Sequence, residues 1–340
     1  MAGRKPRTTM TGRVTMQDVA AQAGTSMISV SRVFRSGGQV SPALRARIEA
    51  AAAKLGYVPD RAASALASAR SMNVAVLIPS ITNTVFVEML AGIDEVLSPQ
   101  GYQMIMATTL YSAAEELRLL RGLLAFRPDG VLLTGIDHQP ATLQLLQNQA
   151  LPAVHMMELN RQPGAYSVGF SQEQGGAAIA RHFLARGYRK LGFVAAQLDP
   201  RTIARRAGFR QAVLEAGQAA PYELMVPERS SVGLGAKLLQ EALAARPELD
   251  ALFFCNDDLA QGALFQAQRL GLAVPGRLAI AGFNDLPASA WTSPALTSVA
   301  TPREQVGRRA AAMLLELMAG REPPTRCEDL GFTLNIRESS

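Results

Sequence analysis

Apolar positions recur at helical spacing in three short stretches between Thr15 and Leu55. In the first, Val19, Ala20 and Ala23 form the stripe. Thr15 caps its start, Asp18 sits where it can return the hydrogen bond, and Gly24 ends it. Ser26 opens a second helix running to about Phe34, with Ile28 or Val30 and Val33 or Phe34 facing inward. Ser41-Pro42 starts the third, where Leu44, Ile48, Ala51, Ala52 and Leu55 recur until Gly56. A helix, a glycine turn and a short second helix describe a helix-turn-helix, whose second helix leaves Met27, Ser29, Ser31 and Arg32 for base edges and phosphates.

After Ser71 the pattern changes to short apolar runs alternating with amphipathic stretches. Strands are predicted at 74–79, 103–108, 130–135, 153–157, 190–195, 251–255 and 277–282. Helices are predicted at 85–97, 113–125, 142–149, 174–185, 202–216, 234–245, 259–270 and 304–318, and the tail 329–334 returns to close the lobes. This is βαβ periodicity. So many alternations exceed one comfortable sheet, and two doubly wound lobes are expected. Ligands of such lobes bind beyond the C-terminal ends of the strands. That draws attention to residues 80–83, 134–137, 157–158, 196–201, 256–257 and 283–285. Polar groups from both lobes facing one cleft make a hinged small-molecule receptor.

The fold class is thus an all-α helix-turn-helix head followed by an α/β body of two doubly wound lobes, similar to a periplasmic binding protein. The expected boundaries are a basic disordered tail over 1–13, the head over 14–58, a linker over 59–71 that a family resemblance makes a hinge helix, and a body over 72–340 that the same resemblance makes the effector-binding and dimerising part.

Charge sharpens this picture. The 340 residues carry a net +6, yet residues 1–70 alone hold 11 Lys and Arg against Asp18, Glu49 and Asp60. A basic module on a nearly neutral body attracts a polyanion; the alternative is a solvated basic tail. Two cysteines, Cys255 and Cys327, make no disulfide framework. No apolar run is long enough to span a bilayer, and the first ten residues show no secretory pattern. A reduced, cytoplasmic protein without membrane contact is expected.

The stretches VTMQDVAAQAGTSMISVSRVF and VSPALRARIEAAAAKLGYVPDRAASALA, spanning Val14 to Ala67, resemble the head of the lactose-repressor (LacI/GalR) family of bacterial transcription regulators. The resemblance implies operator contacts by Thr15, Ser26, Met27, Ile28, Ser31 and Arg32. Met27 and Ile28 would read apolar groups such as a thymine methyl, while Arg32 can fork onto guanine or rest on a phosphate. It makes 60–68 the hinge helix, with Arg61 and Ala63 at the DNA and Leu66 wedged into the minor groove. Without it, Leu66 reads as an apolar residue on a linker helix too short to be stable alone.

LARGYRKLGFV, DPRTIARRAGFRQAV, NDDLAQGALFQAQRLGLAVPGRLAIAGFND, SPALTSV and TPREQVGRRAAAML are similar to effector-domain motifs of the same family. IPSITNTVF, LDPRTI and DLGFTL resemble its gluconate-utilisation branch. The resemblance places Arg205 at the effector clamp, Asn256 and Asp257 as the polar pair after a strand, Phe86 on the first-lobe wall and Asn284 at the closing position. Thr82 and Arg201 join them as expected effector contacts.

Three departures bear on the effector. GFN puts Asn284 where an aspartate is common, VGFSQ replaces VxxDN, and Met157 stands where an aspartate often follows the strand, with Glu158 next. Fewer acids beside Arg201 and Arg205 suit an anionic polyol such as a sugar acid; the alternative is drift at positions that touch no ligand.

No catalytic constellation emerges. His138, His155 and His182 lack metal spacing, GFSQE lacks the second glycine of a nucleophile elbow, and GLGAK is not a phosphate loop. The expected function is a non-enzymatic, homodimeric repressor of gluconate-utilisation genes, on a pseudo-palindromic operator, controlled by a sugar-acid effector and needing no cofactor. No heptad extension follows Ser340, so the family's tetramer-forming tail is not expected. The alternatives are a repressor answering another sugar or sugar acid, a sugar-binding receptor for transport, and a sugar-acid enzyme.

Overall fold

The computed structural model describes residues 14–34, 40–58 and 70–340. The chain divides into two compact units, Met1–Met72 and Asn73–Ser340. Arg61, Ala63 and Leu66 lie outside the described residues.

The first unit holds α1 (Met16–Gln22), α2 (Met27–Phe34) and α3 (Pro42–Leu55). Thr15 and Asp18 make the reciprocal capping box, with Thr15 N donating to Asp18 Oδ2 at 2.8 Å. Gly24 takes φ 57 and Gly56 φ 65, left-handed values that end α1 and α3. Ser26 Oγ accepts from Ser29 N at 3.2 Å, and Ser41 Oγ from Leu44 N at 3.4 Å. Val19, Ala20, Ala23, Val30, Val33, Ile48, Ala51 and Ala52 make one buried cluster. Each inward position of α2 is therefore settled: Val30 and Val33 face the core, and Ile28 faces solvent.

The second unit contains two six-stranded sheets. The first lobe orders its strands β11-β5-β4-β3-β1-β2, where β1 is Asn73–Ile78, β2 Gln103–Thr108, β3 Gly130–Thr134, β4 Ala153–Met156, β5 Ser167–Gly169 and β11 Cys327–Asp329. The second orders them β12-β10-β9-β8-β6-β7, where β6 is Leu191–Ala196, β7 Tyr222–Val226, β8 Ala251–Phe254, β9 Ala279–Asn284, β10 Thr297–Ala300 and β12 Thr333–Asn335. All pairings are parallel except β10 with β12. Central strands such as β1, after Asn73, and β6 are apolar because helices cover both faces.

The helices are α4 (Val85–Leu97), α5 (Ala113–Leu124), α6 (Pro140–Asn148), α7 (Gln172–Ala185), α8 (Pro200–Glu215), α9 (Val232–Ala245), α10 (Asp257–Arg269) and α11 (Arg303–Met318). The chain passes between lobes three times: after β5, after β10 and after β11. Strands β5, β7 and β10 are absent from the sequence reading. The first has three residues, and the second, YELMV, is half-buried at an edge and carries a glutamate.

Phe193, Phe209, Phe253 and Phe283 stack through the second lobe with ring centroids 5.2–6.4 Å apart. Burial of each contributes roughly 1.5–3 kcal/mol. Helices α7 and α8 touch at Gly176 and Gly208, where any Cβ would strike the backbone of Arg205 and of Glu173. That close crossing brings the start of α7 against the side chain of Arg205.

Candidate functional site

On α2, positions 27, 28, 31 and 32 fall on one face, opposite Val30 and Val33. Met27 is 53% and Ile28 66% exposed, although both are large and apolar. Arg32 is exposed, Ser31 half-buried, and Ser26 exposed at the helix start. Thr15 is half-buried and its hydroxyl is turned to Asp18 at 2.7 Å. A core-facing role for Ile28 is excluded; two apolar side chains beside an arginine are offered outward.

In the second unit a small cleft of about 50 Å³ opens between the lobes. Asn83, Val85, Phe86, Tyr111 and Met157 line it from the first lobe. Ala196, Gln197, Asp199, Arg201, Thr202, Arg205, Ser230, Asn256 and Asn284 line it from the second. These residues follow the C-terminal ends of strands, as the winding of the sheets dictates.

Arg205 is buried on α8. Its Nε donates to Gln172 Oε1 at 2.8 Å, its Nη1 to the Cys255 carbonyl at 2.7 Å, and its guanidinium lies over Phe283. Among the described residues no carboxylate pairs with it, and burial lowers its pKa. Asn284 ends β9 at φ 105 and is 4% exposed; its Oδ1 is buried with no hydrogen-bond partner. Asn256 caps α10, its Oδ1 accepting from Leu259 N and Ser230 Oγ. Phe86 is buried on the first-lobe wall.

Arg201 differs. It is buried beside Glu158 at 3.2 Å, Asp199 at 3.4 Å and Asp137 at 3.9 Å. Burial opposes its charge, and these three carboxylates outweigh burial and raise its pKa. Burial raises the pKa of Glu158 against the pull of Arg201. The expectation of an acid-poor cleft around both arginines is therefore corrected. The acids missing from the motif positions are replaced by others from neighbouring loops, and only Arg205 is left without an anionic partner.

Thr82 is exposed and bonded to Ser80, while its neighbour Asn83 lines the cavity and donates to Tyr111 Oη at 3.0 Å. Asp257 is turned away from the cleft. It is fully buried and accepts from Leu286 N, Ser289 Oγ and Ser298 Oγ, tying β10 to the loop after β9. Gln172, Tyr111 and Ser230 escaped the sequence reading. Gln172 stands in the departing VGFSQ motif, Tyr111 follows β2, and Ser230 follows the unread strand β7.

Elsewhere, His138 Nδ1 meets Glu116 at 2.8 Å and His138 Nε2 meets His155 Nδ1 at 3.0 Å, inside the first lobe. His155 is buried in this contact. Burial pushes the Cys255 thiol up to about 11, so it is an inert neighbour of Arg205. Among the described residues no cluster of three or more His, Cys, Asp or Glu is arranged to hold a metal, and no helix is long and apolar enough to cross a membrane.

Residues 15–60 match the family described as bacterial regulatory proteins, lacI family, and residues 180–340 match the periplasmic binding protein-like domain. The chain is 47% identical to the HTH-type transcriptional regulator GntR of Pseudomonas aeruginosa, over 98% of this chain and 97% of that one. It is 53% identical to the crystal structure of transcription regulator GntR from Chromobacterium violaceum, covering 79% of this chain and 99% of that one, with a TM-score of 0.77. A LacI family regulator from Silicibacter pomeroyi is 33% identical, covers 96% of this chain and 99% of its own, and superposes with a TM-score of 0.89. The chain belongs to the LacI family of bacterial transcriptional regulators.

Proposed function

We propose that this regulator is a homodimeric repressor of gluconate-utilisation genes, and that a sugar acid in the interlobe cleft sets its affinity for operator DNA. The observation that carries the effector class is the pairing, among the described residues, of a buried guanidinium that has no carboxylate, that of Arg205, with a buried oxygen that has no donor, Asn284 Oδ1. A ligand with a carboxylate and hydroxyls satisfies both: the carboxylate meets the guanidinium, and a hydroxyl donates to Asn284. Arg201, held by its own acids, serves as the fixed wall of the cleft.

In the head, residues 14–58 form the DNA-binding unit. Met27, Ile28, Ser31 and Arg32 enter the major groove, and Thr15 and Ser26 lie at the helix starts toward the backbone. Residues 59–71 form the hinge, with Arg61 and Ala63 at the DNA and Leu66 as the minor-groove wedge. The body is 72–340. Two copies reading two half-sites supply the specificity that one short helix lacks.

The test is operator binding by the full chain, followed by fluorescence anisotropy with and without gluconate, with sorbitol and other aldonic acids in parallel. Gluconate is expected to change operator affinity, and sorbitol to leave it alone. A response to a different aldonic acid only would keep the class and change the ligand; a response to neutral polyols only would overturn the reading of Arg205.

A further inference from the structure

Asn284 and Asp285 are consecutive non-glycine residues at positive φ, 105 and 53. Such a corner persists only where its surroundings impose it. One group that holds this corner is Arg303, 5% exposed, in the first turn of α11 just after the chain passes from the second lobe to the first. Its Nη1 donates to the Asn284 carbonyl and to Thr301 Oγ1, and its Nη2 donates to the Asp285 carbonyl at 3.4 Å. The same guanidinium forks onto Glu88 of α4, with Nε and Nη2 each 3.1 Å from a carboxylate oxygen.

Helix α4 is a first-lobe element, and Phe86, two residues before Glu88, lines the cleft. Helices α4 and α11 are locked at close range: a Cβ on Gly92 would strike the Glu304 carbonyl, and one on Gly307 the Met89 carbonyl. Arg303 therefore grips the backbone of the cleft's unsatisfied acceptor in one lobe and a carboxylate on a cleft-wall helix of the other. The opposite flank of the corner is fixed within the second lobe, where the Asp285 carboxylate takes Asn335 Nδ2 and Arg337 Nη1, each at 2.6 Å.

We propose that Arg303 is a positioning residue that holds the Asn284–Asp285 corner in the cleft and, through Glu88, transmits engagement of that corner to helix α4. It touches no ligand itself. Its coupling role rests on the effector reading above, whereas its hold on the corner does not. Small shifts of a group held at both ends pass on because the packed helices it joins are not continuously deformable.

Two measurements on the full chain decide it. Hydrogen exchange without ligand reads the hold. The Asp285 and Leu286 amides are bonded to Ser298 Oγ and Asp257 Oδ2. Arg303→Met is expected to speed exchange of 284–286 and of 85–97 at least tenfold, Arg303→Lys to recover part of this, and Glu88→Gln to speed only 85–97. Unchanged exchange at 284–286 in Arg303→Met, or general loosening of both lobes, overturns the hold. Operator affinity with and without gluconate reads the coupling. Glu88→Gln is expected to bind gluconate within threefold of wild type by calorimetry, yet to lose at least fivefold of the gluconate-induced change in operator affinity. An undiminished change overturns the coupling. If gluconate leaves wild-type operator binding unaltered, the effector reading falls and the coupling with it, while the exchange data still decide whether Arg303 holds the corner.

Discussion

Arg205 lies over Phe283, its guanidinium carbon 3.9 Å from the ring centroid. The stack fixes the plane of the fork, and Gln172 and the Cys255 carbonyl fix its rotation. Arg205→Ala is expected to lower gluconate affinity by about 2–5 kcal/mol, roughly 30- to 5,000-fold, because the ligand carboxylate loses its buried partner. Arg205→Lys should rescue little, since an ammonium can neither stack nor fork. Calorimetry measures both; near-normal affinity in either variant removes the clamp assignment.

Asn284 separates backbone from side-chain effects. Glycine accepts φ 105 freely, so Asn284→Gly should leave the melting temperature unchanged or higher. The same change deletes the unpartnered Oδ1 and should weaken gluconate by about 1–3 kcal/mol. Asn284→Asp keeps the shape and adds an anion, and repulsion of ~1–4 kcal/mol is expected for a carboxylate ~4–10 Å away. A neutral polyol should escape that penalty. Equal losses for gluconate and sorbitol in Asn284→Asp would remove charge as the basis of selection.

For the head, a dimer making roughly 6–10 phosphate contacts should lose about 10³–10⁵-fold in DNA affinity between ~50 and ~200 mM salt. If Ile28 reads a base edge and Leu66 wedges a kinked step, as proposed, Ile28→Ala and Leu66→Ala should each lower operator affinity more than affinity for random DNA. Anisotropy titrations on both DNAs check this, and equal losses on the two would return both residues to packing roles.

The histidine pair gives a pH signature. Burial, and then the neighbouring His138, lower the His155 pKa to about 4, while Glu116 overcomes burial and raises that of His138. In the unfolded chain both titrate near 6.5. Between pH 6.5 and 4 the unfolded state therefore takes up a proton that folded His155 refuses, and the stability from this site falls as pH falls, by up to about 3 kcal/mol. Melting temperature followed over that range should decline in wild type and decline less in His155→Gln. Parallel curves would mean that both rings are protonated together in the fold.

The head was legible almost residue by residue because capping, glycine stops and helical period all act locally: Thr15 with Asp18, Gly24, and Ser41-Pro42 stand where their chemistry puts them. The strand ends likewise pointed to Asn256 and Asn284. What remained hidden depends on contacts between distant segments. Asp199 is two residues from Arg201, but nothing local tells that Glu158 and Asp137 join it there while Arg205, one helical turn on, has no carboxylate partner among the described residues. Nor does Gln172 announce its bond to Arg205, which follows from the tight crossing of α7 and α8. Ile28 was ambiguous because its apolar side chain suits a core as well as a groove, and only its exposure separates the two.

The three passages between lobes bear on how such regulators can be recombined. Each lobe is assembled from chain on both sides of the other, since β11 joins the first sheet and β12 the second only after every other strand has been laid down. A single cut therefore yields no intact lobe. A chimeric sensor that borrows the second lobe must exchange two separate stretches, the long one through β10 and the short one carrying β12, and leave α11 and β11 with the recipient. Grafts that move Asn284 without Arg303 then split a hand from the handle it grips, so the junction before α11 is the one where new effector specificity and old allosteric output must be matched by design.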